Sequence, residues 1–205
     1  MTADAPGPGM SRPGEPATVP TVFSEAVRSL HGAAVRAEVQ VAAIRPPQRL
    51  APWSHAVSLD VQHGGVEAAT GRLVLLHDPA GYQAWQGTLR LVGYGTADLD
   101  PEMAGDPLLP EVGWSWLLDA LADHGARYTA AGGTVTQTAS TRFGDIAGPR
   151  WASGMELRAS WTPIGLDLSG HLRAWADLLC TAAGLPPPGV AVLPVSGLGA
   201  RCPEG

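Results

Sequence analysis

The residues best able to do chemistry lie in one block, residues 72–122, and none of them completes a known catalytic motif. His77 and Asp78 are adjacent, and a histidine beside a carboxylate can serve as a general base. Asp78 also starts an Asp-Pro-Ala-Gly sequence, which is typical of a tight turn. We therefore expect a turn here and keep the general base as an alternative.

An acidic segment follows in the same block, and clustered carboxylates can bind Mg²⁺ or Ca²⁺. Its spacing matches no EF-hand loop, because the glycine and the closing glutamate fall at the wrong positions. Solvated loop carboxylates and the acidic start of a helix explain the segment more simply. The candidate metal ligands are Asp98, Asp100, Glu102 and Asp106.

Two partial motifs in the block each lack a required residue. Gly113-Trp114-Ser115 begins like a nucleophile elbow, but it lacks the closing glycine and falls inside a predicted helix. Residues 93–95, Gly-Tyr-Gly, lack the third glycine of a dinucleotide fingerprint, so we expect a bulge or a close backbone approach there. The histidines show no zinc-ligand spacing. All 13 basic residues are arginine, which excludes lysine chemistry. We predict no catalytic residue and no cofactor.

Tryptophan is frequent in this chain, with seven residues. Trp116, Trp161 and Trp175 fall on the apolar faces of predicted elements and are expected in the core. Exposed aromatic clusters mark protein-binding surfaces, so the other tryptophans are candidates for partner contact. The candidate binding residues of the block are His77, Asp78, Tyr82, Trp85 and Trp114.

Three helices are predicted from apolar periodicity, at about 22–34, 110–124 and 170–183. Thr21 and Ser169 are the expected N-caps of the first and third. The second helix has Pro110 and Glu111 in its first turn and Gly125 at its end. Its expected core face is Val112, Trp116, Ala120 and Leu121.

Six strands are predicted from alternating polar and apolar residues. Four of them are consecutive and joined by short turns, which indicates an antiparallel meander. One polar face per strand implies that the helices cover the other face of a single sheet. We predict an α+β fold with one mainly antiparallel sheet of about six strands and three helices, in the order α-β-β-β-β-α-β-β-α. This order is similar to the secretion-chaperone arrangement, α-β₃-α-β₂-α, with one added strand.

The composition predicts a single domain at residues 21–185 between two Pro/Gly-rich tails, 1–20 and 186–205. Met10 is an alternative start. The net charge of −6 argues against direct contact with nucleic acid or anionic membranes. Neither a secretory signal nor an apolar run of about 20 residues is present, so we expect a cytoplasmic protein.

Residues 72–122, with PQRLAP upstream and RASWTP downstream, resemble an uncharacterised family of high-G+C bacteria, the domain of unknown function three thousand. The most specific pieces are RLVLLHDPAGYQAWQGTLRLV and DPLLPEVGWSWL, and the resemblance covers about 22–185. It implies no activity, cofactor or catalytic residue. Genes of this family often lie near a ribonuclease-D-like gene, which implies a link to RNA metabolism.

Three functions follow from these observations. The preferred one is a non-catalytic protein-binding module with an unknown protein partner, a homodimer being one option. The second is a metal-dependent hydrolase or nuclease accessory linked to RNA metabolism, which would use His77, Asp78 and the acidic segment. The third is a small-ligand-binding domain with an apolar concavity between sheet and helices.

Overall fold

The computed structural model describes residues 18–99, 103–146 and 148–187. Within these ranges, three α-helices pack on one face of a six-stranded antiparallel sheet, which confirms the predicted α+β class and element order. The helices are α1 (Thr21–His31), α2 (Leu109–Asp123) and α3 (Ser169–Ala182). The strands are β1 (Val39–Ile44), β2 (Trp53–His63), β3 (Val66–Tyr82), β4 (Gly87–Asp98), β5 (Tyr128–Thr141) and β6 (Trp151–Pro163).

The sheet has the strand order β1-β2-β3-β4-β6-β5, and each strand is antiparallel to its neighbours. The first four strands form the predicted meander. The hairpin β5–β6 then adds to β4 through β6, so that β5 becomes an outer edge. The two edges of the sheet are therefore β1, which is six residues long, and β5, which is 14 residues long.

The connection between β3 and β4 differs from the predicted turn at residues 78–81. Pairing continues from His77 opposite Leu89 to Tyr82 opposite Gly87, so the predicted turn is an irregular stretch within β3. The chain reverses through a 3₁₀ helix, Gln83–Trp85. Trp85 therefore belongs to this turn rather than to a strand.

The end of α2 follows the prediction, whereas two expected N-caps do not. Gly125 has a φ of 60°, and its N–H donates to the carbonyl of Ala122, as in a Schellman motif. The N-cap positions of α1 and α3 are occupied by Pro20 and Leu168, without a side-chain cap. Thr21 and Ser169, the predicted caps, are instead the first residues of these helices.

The buried face of α2 also differs from the predicted one. It consists of Leu109, Gly113, Leu117 and Leu121, spaced four residues apart. Val112, predicted in the core, is 38% exposed. The helix packs closely on β6 at Gly113, where an added Cβ would lie 3.0 Å from Met155 Sδ. Glycine is not counted as an apolar residue in a helical periodicity. The sequence pattern of α2 therefore predicted the adjacent face, which contains Val112, as the buried one.

The other face of the sheet, called here the open face, carries none of the described helices. At one end it is covered by Trp85 and Ala51, which pack against Ala56, Val74 and Leu76. Beyond this cluster the side chains of β3, β4, β5 and β6 on this face are mainly polar. The open face therefore offers a mainly polar surface beyond this cluster.

Candidate functional site

His77 and Asp78 are each engaged by the nearby backbone. His77 is buried, and its Nδ1 lies 2.9 Å from the carbonyl oxygen of Thr88, which can only accept, so Nδ1 carries the proton. Its ring stacks on Phe23 at a centroid distance of 6.1 Å. Asp78 Oδ1 accepts a hydrogen bond of 2.9 Å from the N–H of Ala80. These contacts match the turn interpretation of Asp78 and place His77 in the core.

Tyr82 and Trp85 form an aromatic pair at the end of the open face, with ring centroids 4.6 Å apart. Tyr82 is 48% exposed, while Trp85 is half-buried over Val74 and Leu76. The carbonyl of Trp85 also accepts a hydrogen bond from Thr162 Oγ1. Trp85 therefore fixes the β3–β4 turn onto the sheet, and Tyr82 remains accessible beside it.

Trp114 lies on the other side of the sheet, away from this pair. Its ring packs against β5, where a Cβ added to Gly133 would lie 2.7 Å from Trp114 Cζ3. With Pro110 and Val135 it lines a depression of about 350 Å³ between α2 and β5. Trp114 thus borders the free edge of the sheet.

The predicted metal ligands fall partly outside the described residues, which exclude Asp100 and Glu102. Asp98 is exposed at the end of β4. Asp106 Oδ1 accepts a hydrogen bond of 2.8 Å from the N–H of Leu108, before α2 begins. In the described part of the chain, no three His, Cys, Asp or Glu side chains are placed to share a metal ion.

The pocket expected between sheet and helices is almost filled. Where α3 crosses β4 and β6, near Trp175 and Leu179, the cavity measures about 10 Å³. Small-molecule sites typically occupy about 300–1,000 Å³. Larger depressions lie on the open face and at the edge beside Trp114.

Arg90 is a functional candidate that no sequence motif indicated. Only 9% of it is exposed, although it points to the open face near the start of β4. Nη1 donates to the carbonyl of Ala130 at 2.8 Å and to Thr162 Oγ1 at 3.2 Å. Nη2 donates to the carbonyl and the hydroxyl of Ser160, at 3.2 and 2.7 Å. Burial lowers the pKa of Arg90, but a guanidinium stays charged. Among the described residues, no carboxylate pairs with it.

The Arg90 contacts hold an unusual backbone conformation in β5. Ala130 has a φ of 50°, and the pairing with β6 shifts register between Thr129 and Gly132. A left-handed conformation at a residue other than glycine costs on the order of 1–3 kcal/mol. The charged hydrogen bond from Arg90 offsets this cost. The pattern Leu89-Arg90-Leu91, an arginine within an apolar strand, was the available signal.

A row of polar side chains crosses the open face. In the strand registers, Ser58, Arg72, Tyr94, Arg158 and Thr134 lie opposite one another on β2, β3, β4, β6 and β5. Two arginines therefore flank one aromatic ring. The row two residues further along contains Ser160, which binds Arg90.

Glu156 holds Tyr94 and Arg158 together. Arg158 Nε donates to Glu156 Oε1 at 2.7 Å, and the Tyr94 hydroxyl donates to Oε2 at 2.9 Å. The hydrogen bond from Arg158, and then that from Tyr94, lower the pKa of Glu156. Arg158 Cζ also lies 5.3 Å from the centre of the Tyr94 ring. The carboxylate is thus ionised and fixes the two side chains.

The outer edge of β5 is free of backbone hydrogen bonds at residues 133–141, as far as the described residues show. The whole strand contains no charged residue and no proline. The opposite edge strand, β1, is short, follows the Arg36–Glu38 ion pair and precedes Pro46 and Pro47. Charges, proline and short length are the usual protections against edge-to-edge association. By these criteria β1 is protected and β5 is not.

The end of the β5–β6 hairpin, called here the hairpin tip, exposes three large apolar side chains. Phe143, Ile146 and Trp151 are 71%, 65% and 68% exposed. Arg150 lies over the Trp151 ring, with 5.7 Å between Cζ and the ring centre. Arg142 Nη1 donates to the carbonyl of Pro149 at 2.6 Å. Exposed aromatic and arginine side chains of this kind are enriched at protein interfaces.

None of the described helices is long and apolar enough to cross a membrane. Comparison with curated proteins and with solved structures found no significant match. The model of one protein family, described as "Protein of unknown function (DUF3000)", matches residues 19–191, which include all the helices and strands given above. The chain belongs to this DUF3000 family.

Proposed function

We propose that this protein is a non-catalytic protein-binding module that acts as a homodimer, joined by β5 of each copy. The free, uncharged outer edge of β5 carries the proposal. A strand with unpaired backbone N–H and C=O groups is a template for another strand. The local hydrogen bonds of His77 and Asp78 support the non-catalytic part of the proposal.

A second copy fits this edge because the strand is complementary to itself. Antiparallel pairing about a two-fold axis at Gln137 places only uncharged side chains opposite one another, with Gln137 facing its own copy, so there is no like-charge repulsion. Threonine pairs across antiparallel strands are favourable. The pairs in this register are Thr136 with Thr138, Thr134 with Ser140, and Val135 with Ala139.

The hairpin tip adds apolar area to the same interface. In this register the residues after Thr141 run beside the beginning of the neighbouring β5, and Phe143 falls opposite residue 131. Burial of a phenylalanine side chain contributes about 1.5–3 kcal/mol. The 71% exposure of Phe143 in one copy is therefore explained by a second copy.

A cytoplasmic location is part of this proposal. Cys180 is a free thiol in the core, and burial raises its pKa to about 11. A buried thiol of this kind is an unreactive packing residue. It is compatible with a reducing compartment.

The test is sedimentation velocity of the wild-type chain over a dilution series, beside two charge variants. Thr136→Lys places two ammonium groups near each other across the proposed axis, so it should give a monomer. Ala42→Lys introduces the same charge on the exposed edge strand β1 and should remain dimeric. Circular dichroism checks that both variants fold. A wild-type chain that is monomeric at every concentration, or an equal effect of both variants, would contradict the proposal.

A further inference from the structure

The open face carries a second site, and we propose that it binds a small organic anion with a flat apolar body, namely an aromatic carboxylate or phosphate monoester. The binding residues are Tyr94, Arg158 and Ser160, with Arg90 behind Ser160 and Arg72 beside Tyr94. This site goes beyond the proposed dimerisation, because its principal side chains come from β4 and β6 rather than from the edge of β5.

The charge of this region selects an anion. Arg72, Arg90 and Arg158 lie on the same face of adjacent strands, and of the acids within the described ranges Glu156 contacts one of them. Arg72 and Arg158 share the row of Tyr94, whereas Arg90 starts two same-face positions along β4 and reaches back to Ser160 in the row between. Since such rows are about 7 Å apart, the three guanidinium groups act on neighbouring parts of one face. The chain as a whole has a net charge of −6, so a positive patch here is a local feature. Clustered positive charge concentrates anionic ligands.

Hydrogen-bond donors remain available in the patch. Arg158 contacts Glu156 through Nε, and its two Nη groups have no partner among the described residues. The side chain is 66% exposed. Ser160 Oγ accepts from Arg90 Nη2, which leaves its own proton to be donated. Two Nη groups and a polarised hydroxyl suit the oxygens of a carboxylate or phosphate.

The shape of the patch favours a ligand that carries an apolar group, such as an aromatic ring, beside its anionic group. A depression of about 490 Å³ lies among Val92, Tyr94, Gly132, Arg158 and Ser160. This volume falls within the usual range for small-ligand sites. No atom of the described residues lies within 4 Å of the place where a Cβ of Gly132 would be, so the glycine keeps this side open. The Tyr94 ring supplies a flat wall for stacking.

The test is an NMR titration of ¹⁵N-labelled protein with four probes: phenyl phosphate, benzoate, benzyl alcohol and inorganic phosphate. At least one of the two aromatic anions should shift the amide resonances of Tyr94, Arg158 and Ser160 and reach saturation. The anion that binds more tightly shows whether the site prefers a phosphate or a carboxylate group. Neutral benzyl alcohol should have no effect at these amides. Inorganic phosphate should bind more weakly than phenyl phosphate, because it lacks the ring.

Two arginine variants complete the test. Arg158→Gln should weaken binding of the preferred anion by about tenfold or more, because it removes a charged donor. Arg127→Gln, at an exposed arginine outside the open face, should leave binding unchanged. Thr136→Lys should retain binding or strengthen it, because the added ammonium group lies on the open face opposite Glu156. Binding by this monomeric variant separates the site from dimerisation. The proposal fails if neither aromatic anion binds, if benzyl alcohol binds equally well, or if Arg158→Gln binds like the wild type. Equal binding of inorganic and phenyl phosphate would refute the role of the apolar body.

Discussion

The Cβ position of Gly93 lies 2.5 Å from Cη2 of Trp175, closer than two carbon atoms can approach without displacement. Trp175 of α3 is fully buried, and its ring also lies 5.9 Å from that of Trp161. An added Cβ at Gly95 would likewise lie 2.7 Å from Leu179 Cδ2. The glycines of β4 therefore let α3 approach the sheet, which confirms the close approach predicted for this pair.

Gly93→Ala is expected to lower the free energy of unfolding by about 1–3 kcal/mol, because the methyl group overpacks the core against Trp175. Urea unfolding followed by tryptophan fluorescence measures the change. Gly132→Ala is the matched control, since Gly132 is a strand glycine without a positive φ, and the described part of the chain places no atom within 4 Å of the new Cβ. If Gly93→Ala were as stable as the wild type, the close packing of α3 on the sheet would not depend on the absence of a side chain at residue 93.

Arg90→Lys is expected to destabilise the fold by about 2 kcal/mol. A lysine ammonium group is a single point and cannot reproduce the fork that reaches Ala130, Ser160 and Thr162. Hydrogen exchange at residues 129–132 should accelerate as well, because the carbonyl of Ala130 loses its partner. A variant with unchanged stability and unchanged exchange in this stretch would disprove the role of Arg90 as a clamp.

Stability should fall between about pH 6.5 and pH 4, since His171 is buried in its neutral form. Trp161 Nε1 donates to His171 Nδ1 at 3.0 Å, and burial lowers the pKa from 6.5 to about 4. In this window the unfolded chain binds a proton that the folded chain does not. The full shift corresponds to on the order of 3 kcal/mol, present above pH 6.5 and lost on acidification.

The check is urea unfolding across this pH window, in wild type and in His171→Gln, whose amide oxygen can still accept from Trp161. The variant should lose most of the pH dependence. Part of it should remain, because burial, and next the nearby His31, also lower the pKa of His55. An identical pH profile in both proteins would exclude His171 as the cause.

Much of the fold could be predicted from local patterns. Alternating polar and apolar residues located the strands, because one face of each strand packs on helices. Gly125 marked the end of α2, because the residue there needs a positive φ, which glycine adopts easily. The turn at residues 78–81 was misplaced because an Asp-Pro sequence signals a local reversal whether it closes a hairpin or bulges within a strand. Asp78 does form such a local turn, within β3.

The candidate sites were harder to predict, because they depend on register and strand order. Arg72, Tyr94 and Arg158 are far apart in sequence, and only the pairing of three strands places them in one row. Likewise, β5 looks like an ordinary threonine-rich strand in the sequence. It becomes an outer edge strand because β6 inserts between it and β4.

Hydrogen exchange of the edge-strand amides, measured at high and low protein concentration, tests the proposed dimer most directly. If β5 pairs with a second copy, the outward amides of residues 133–141 should be protected at high concentration and lose that protection on dilution. The amides of β1 at the other edge should exchange at the same rate in both conditions. Rapid exchange of the outward β5 amides at every concentration would contradict the account.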